Sequence, residues 1–144
     1  MLLVRQLLQN RPAPQVLAAG LSALEASRFL RSKSIGGAPV VELGRLVGFC
    51  SERDLVYRVL AEGRDPERTR VADVMTCDVV TAALDDTIAE CEERLRTAHC
   101  RHLPVVERGR VLGCLSLRDF LQSDLREREA ELEQISAYIK TAGA

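Results

Sequence analysis

The chain has 144 residues, of which 47% are hydrophobic, 3% aromatic and 28% charged, with a formal net charge of −1. That length suits one compact domain or two small units sharing a core, and the core must be aliphatic, built from Val, Leu, Ile and Ala. The near-neutral balance argues against electrostatic recruitment by nucleic acid or an anionic membrane, no run approaches the roughly 18 apolar residues of a membrane span, and Met1 to Arg5 lacks a secretory signal pattern, so a cytoplasmic protein is the expectation.

In chain order, Val16-Leu17-Ala18 predicts a short first strand. Ser22 followed by Glu25 has the form of a capping box, in which each side chain bonds the other residue's backbone N–H and opens a helix. Ala23, Ala26 and Leu30 then fall on one buried helix face. Pro39-Val40-Val41 and Leu46-Val47-Gly48-Phe49-Cys50 flank a turn at Gly44 and predict a hairpin. Ser51 opens a second helix with Asp54 in its first turn. Residues 61–70 are charged, carry Gly63 and Pro66, and read as a connecting loop.

The same order then recurs. Pro39 to Asp54 aligns without a gap on Pro104 to Asp119, with ten identities in sixteen positions, which marks an internal repeat. Val79-Val80-Thr81 stands for the first strand, Thr87 with Glu90 for the capping box, and Ile88, Cys91 and Leu95 for the buried face. Leu103 to Val106 and Val111 to Leu115 form the hairpin around Gly109, and Ser116 opens the next helix. Upstream, Val4, Leu7 and Leu8 match Val71, Val74 and Met75. The expected fold class is α/β (α+β): two β-α-β-β-α repeats at 1–60 and 71–122, a linker at 61–70, and a C-terminal helix and tail at 123–144. A unit of roughly 60 residues is marginal alone, so the two repeats are expected to pack as one pseudo-two-fold module.

Phe120 to Lys140 contains no Gly or Pro and predicts one long helix of roughly 30 Å. Leu121, Leu125, Leu132, Ile135 and Ile139 lie at alternating four- and three-residue steps, interrupted by Arg128. That stripe favours a homodimer contact, the alternative being packing onto the chain's own module. The five cysteines are odd in number and irregular in spacing, with no C-x-x-C, so they are read as small buried hydrophobes and not as a disulfide framework.

The run Pro-Val-Val-x-x-Gly-Arg-x-x-Gly-x-x-Ser-x-Arg-Asp, in two copies with this element order, resembles the CBS domain. Two in tandem resemble a CBS pair, or Bateman module, of the stand-alone bacterial type. The resemblance covers roughly residues 1–122. It implies a regulatory module that binds adenosine-containing ligands in clefts between the repeats, AMP or NAD being favoured over ADP, ATP and S-adenosylmethionine. It implies that Asp54 and Asp119 hold ribose hydroxyls, that Ser51 and Ser116 contact phosphate, and that basic residues before Pro104, Arg101 or His102, face the phosphates. Ala38 and Leu103, with the first-strand residues Val16 and Thr81, are expected to touch the base.

The residue types suit those roles. A helix start presents free N–H groups and partial positive charge to a phosphate, and a carboxylate accepts two hydrogen bonds from a diol. Each Ser-x-x-Asp taken singly is equally an ordinary helix cap. Arg53 and Arg118 either reach phosphate or pair with surface Glu. Repeat 1 has Ser34-Ile35-Gly36-Gly37 where repeat 2 has His99-Cys100-Arg101-His102. The expectation is therefore two unequal sites, the second, with Arg101 and His102 beside Asp119, holding a phosphate. No second cluster completes a zinc site around His99, Cys100 and His102, and no nucleophile–base set, P-loop or metal cluster points to an enzyme. Conformational change on binding would be read by a downstream protein. The alternative is a structural or oligomerisation protein with one or both sites degenerate.

Overall fold

The computed structural model describes residues 1–143. The first repeat supplies α1 (Val4–Leu8), β1 (Leu17–Ala18), α2 (Ala23–Lys33), β2 (Gly37–Glu42), β3 (Arg45–Ser51) and α3 (Glu52–Leu55), which continues as a π-helical turn over Val56–Leu60. The second supplies α4 (Val71–Val74), α5 (Ile88–Ala98), β4 (His102–Glu107), β5 (Arg110–Ser116) and α6 (Leu117–Ala142). Four capping boxes start the helices: Ser22 with Glu25, Ser51 with Asp54, Thr87 with Glu90, and Ser116 with Asp119. The α2 and α5 helices both end on a left-handed residue, Ser34 and His99, whose N–H returns to the last turn.

The hairpins turn through Leu43-Gly44 (φ 51° and 77°) and Arg108-Gly109 (φ 51° and 82°). Two successive positive φ values match the right-handed twist of the flanking strands, which is why glycine stands second in each pair. In the first sheet β1 runs parallel to β2, with Leu17 opposite Val40, and β2 pairs antiparallel with β3. The β4–β5 hairpin repeats that pairing down to the register irregularity between its two valines, Val105/Val106 matching Val40/Val41.

The expected strand Val79–Thr81 does not form. Its place is taken by a single parallel bridge from Ala82 to Val105. Ala82 makes the bonds to β4, its N–H donating to Pro104 O and its carbonyl accepting from Val106 N–H, both at 2.9 Å, while the Thr81 carbonyl accepts from Arg94 at 3.2 Å.

The leading helices are exchanged between the repeats. Val4 of α1 is fully buried among Ile88, Cys91, Leu95, Leu103, Val105, Leu115 and Phe120, all of the second repeat. Val71 of α4 is buried among Leu17, Ala26, Leu30, Ala38, Val40 and Cys50 of the first. Backbone bonds fix both docks: Val4 N–H to Asp86 O at 2.9 Å, and Val71 N–H to Leu21 O at 2.8 Å. Each core thus borrows its closing helix from the other half of the chain, which answers the size problem of a small repeat.

Cys50 and Cys91 are fully buried, and burial pushes their thiols up to about 12 and about 11, as expected of small core residues. Cys77 departs from that expectation and is exposed. The C-terminal helix runs 26 residues, about 39 Å, longer than the sequence suggested. Its Leu121, Leu125, Leu132, Ile135 and Ile139 are all more than half exposed, so the stripe does not pack back on this module.

Candidate functional site

Both Ser-x-x-Asp segments act as helix caps. Ser51 Oγ accepts from Asp54 N–H at 3.1 Å, while Asp54 Oδ2 accepts from Ser51 N–H at 3.0 Å. Ser116 and Asp119 repeat this at 3.4 and 2.7 Å. The cap uses Oδ2 and leaves Oδ1 of each aspartate for something else. For Asp54 that partner is the Thr76 hydroxyl, 3.2 Å away. For Asp119 it is Arg11, whose Nη2 donates at 2.9 Å.

A cleft of about 580 Å³ opens where the start of α3 faces the second repeat. Ser51, Glu52, Arg53 and Asp54 line one wall, Thr76 and Asp78 to Val80 the floor, and His99 to His102 the other wall. A cavity of this size suits a small organic ligand. Arg101 and His102 therefore share a cleft with Ser51 and Asp54 of the other repeat, while His102 also stays paired with Ser116 on β5, beside the Asp119 cap. The two hairpins pack against each other, with Leu46 N–H donating to Gly109 O at 2.9 Å, so the approach to β4 lies over the exit of β3. Alignment of the repeats cannot reveal that crossing.

His102 does not supply a cation. Its ring stacks on Phe49, with centroids 5.1 Å apart and planes at 30°. Burial, and then the Arg101 charge, hold its pKa below the ordinary 6.5 against the pull of Asp119 and Glu52. A neutral imidazole offers a flat face and one donor, not a countercharge. Arg101 is exposed and makes no ion pair among the described residues, so it is the cation of that wall. Arg53 lines the cleft with its guanidinium 6.0 Å from the Tyr57 ring centre.

Other expected contacts fall elsewhere. Ala38 and Leu103 are 1% and 0% exposed inside the two cores, and neither is among the residues lining this cleft. Val16 and Thr81 are half-buried outside the cleft lining, where Val79 and Val80 stand instead. Arg118 is exposed beside the second cap, away from this cleft. Sequence reasoning missed Thr76, Asp78 and Phe49. The match of Met75 to Leu8 carried a signal, since it marks the residues that follow as equivalent in both halves. Among the described residues, no group of three or more His, Cys, Asp or Glu could hold a metal ion.

The chain matches the CBS domain family twice, over residues 4–61 and 71–126. The mitochondrial CBS domain-containing protein CBSX3 of Arabidopsis thaliana is 26% identical over 121 residues, 81% of this chain and 59% of that protein, so this chain spans under two thirds of its length. A CBS-domain containing protein of Agrobacterium tumefaciens superposes with a TM-score of 0.76 at 30% identity, covering 85% of this chain and 98% of that one. A CBS domain protein of Pyrobaculum aerophilum, solved in complex with AMP, superposes with a TM-score of 0.73 at 25% identity, covering 82% and 89%. With two repeats of this fold, two matching segments and paired Ser-x-x-Asp caps, the chain belongs to the CBS domain family as a tandem CBS pair.

Proposed function

We propose that this CBS pair is a regulatory module that binds an adenosine-containing ligand in the cleft between its repeats, AMP or NAD ahead of ADP, ATP and S-adenosylmethionine. The observation that carries the reading is the meeting of Asp54 and Arg101 across one cleft of about 580 Å³. A carboxylate for a ribose diol and a guanidinium for phosphate stand on opposite walls. The α3 N-terminus adds the Ser51 cap, and the Phe49–His102 stack an aromatic surface for a base. The AMP complex of the Pyrobaculum aerophilum relative supports the ligand class.

Ligand binding bridges residues of both repeats, so it shifts their relative orientation, and a downstream protein reads the shift. A homodimer goes with this reading, because α6 carries an apolar stripe with no partner in its own module. So does a cytoplasmic location; among the described residues no helix is long and apolar enough to cross a membrane. No catalytic role is proposed.

A thermal-shift panel with AMP, ADP, ATP, NAD and S-adenosylmethionine tests the reading. A ligand at 100-fold its dissociation constant adds about 2.7 kcal/mol. Asp54→Ala is expected to abolish the shift, and Glu107→Ala, on an exposed hairpin end, to leave it intact. No shift from any nucleotide would favour a structural protein with degenerate sites.

A further inference from the structure

The two repeats treat their aspartates differently. Leu8 lies against Gly113 as Met75 lies against Gly48, and by that register Arg11 occupies in the second half the position of Asp78 in the first. Asn10 takes φ 66° and turns the chain, and Arg11 N–H returns to Leu8 O at 3.1 Å. The turn delivers Arg11 to Asp119, with the pair's side chains 35% and 19% exposed. Ser116 N–H and Oγ already hold Oδ2, and Arg11 takes Oδ1, so both oxygens are engaged.

Asp54 is arranged otherwise. Its Oδ1 meets the Thr76 hydroxyl, a neutral rotor that can turn away. Arg58 is near, but its Nε stands 3.9 Å off, beyond hydrogen-bond range, and its Nη1 donates to the Val74 and Met75 carbonyls. Asp78, at the position equivalent to Arg11, carries the same charge as Asp54 and cannot occupy it. Burial does not separate the two aspartates, since Asp54 is the more buried; a direct hydrogen bond from a guanidinium, made at 2.9 Å to Asp119 and not made by Arg58 to Asp54 at 3.9 Å, does.

We propose that Arg11 is an internal occupant of the second Ser-x-x-Asp position, its guanidinium standing on Asp119 where ribose hydroxyls would stand, so that each chain binds one adenosine ligand, at Asp54. The proposal rests on the nucleotide reading given above. Arg11 brings a full positive charge to the carboxylate, which a ribose hydroxyl does not, and a tethered donor loses no translational freedom on binding. A ligand must therefore displace Arg11 to reach Asp119, whereas it need only rotate one hydroxyl at Asp54.

Calorimetric titration with AMP, and in parallel NAD, tests this in the wild-type chain, Asp54→Ala, Arg11→Met and the double variant. Methionine keeps the length of the stem and removes the cation. The expected stoichiometries per chain are one, none, two and one. Two sites in the wild type, or no site gained in Arg11→Met while the wild type binds one, overturns the proposal and leaves the nucleotide reading standing. No binding in any of the four overturns the nucleotide reading, and the stoichiometric claim with it. The contact itself is read separately by carbon NMR of the Asp119 carboxyl. Arg11→Met is expected to move its titration upward, and an unmoved titration means that Arg11 does not occupy Asp119 in solution.

Discussion

The ring of His102, at the start of β4, stacks on Phe49 of β3 with centroids 5.1 Å apart, joining the two repeats through one aromatic pair in a chain that is 3% Phe, Trp and Tyr. Such pairs contribute about 0.5–1.5 kcal/mol beyond the area they bury. A double-mutant cycle of Phe49→Leu and His102→Leu, followed by urea unfolding, is expected to give a coupling near 1 kcal/mol. Additive effects would show that the rings merely lie close.

Acid is expected to act in two steps. His102 is held below its ordinary 6.5 in the fold, chiefly by burial, so the unfolded chain takes up its proton first and stability drops as pH falls below 6.5. For Asp119, burial raises the pKa, but the Ser116 N–H and then Arg11 outweigh it and leave the carboxyl below its ordinary 3.8. Its contribution is therefore present above 3.8 and lost as pH falls through the lower folded value. Melting temperatures between about pH 7 and about pH 3 should lose the first step in His102→Phe and show a weaker second step in Arg11→Met.

Glu92 of α5 has the opposite sign. Burial, and then the facing Asp124 of α6, raise its pKa above 4.5. The folded state therefore prefers the protonated form, and stability is lost as pH rises through the range above 4.5. Glu92→Gln keeps the shape and removes the charge. It is expected to raise the melting temperature at neutral pH and to do nothing in acid; an equal gain at both would mean that shape, not charge, is the cause.

Gly48 and Gly113 occupy equivalent places but should not tolerate alanine equally. A Cβ on Gly48 would lie 2.9 Å from the Thr76 carbonyl oxygen and would also meet Met75 Sδ. One on Gly113 would meet the end of the Leu8 side chain at 2.7 Å. Backbone cannot yield as a leucine methyl can. Overpacking costs about 1–3 kcal/mol, and Gly48→Ala is expected at the upper end with Gly113→Ala at or below the lower. Thr76 floors the cleft, so Gly48→Ala should weaken ligand binding as well.

Sedimentation of a chain ended after Gln122 tests the part assigned to α6. The cut removes Leu125, Leu132, Ile135 and Ile139, each more than half exposed, and is expected to yield monomer. Persistent dimer would move the contact to the exposed Val56, Tyr57 and Leu60.

How much could be read without coordinates depended on the range of the interaction. The repeats, both hairpins, the four capping boxes and the long last helix were legible, because each is written in residues a few positions apart: a Ser three before an acid, an apolar residue every third or fourth position, a glycine between two valine runs. The strand expected at Val79–Thr81 was misplaced: the residue that meets β4 is Ala82, which pairs with Val105 as Leu17 pairs with Val40. The pairing of charges was not legible either. Alignment set Arg101 and His102 in line with Asp119, since all three share a repeat; it gave no sign that they also share a cleft with Asp54, or that Arg11 bonds Asp119. Sequence alone determined that there are two capped aspartates. Only the tertiary structure decided which one meets a free cation across a cleft and which one is already held, because two hairpins packed about a pseudo-two-fold axis bring together residues of opposite halves that no periodicity connects.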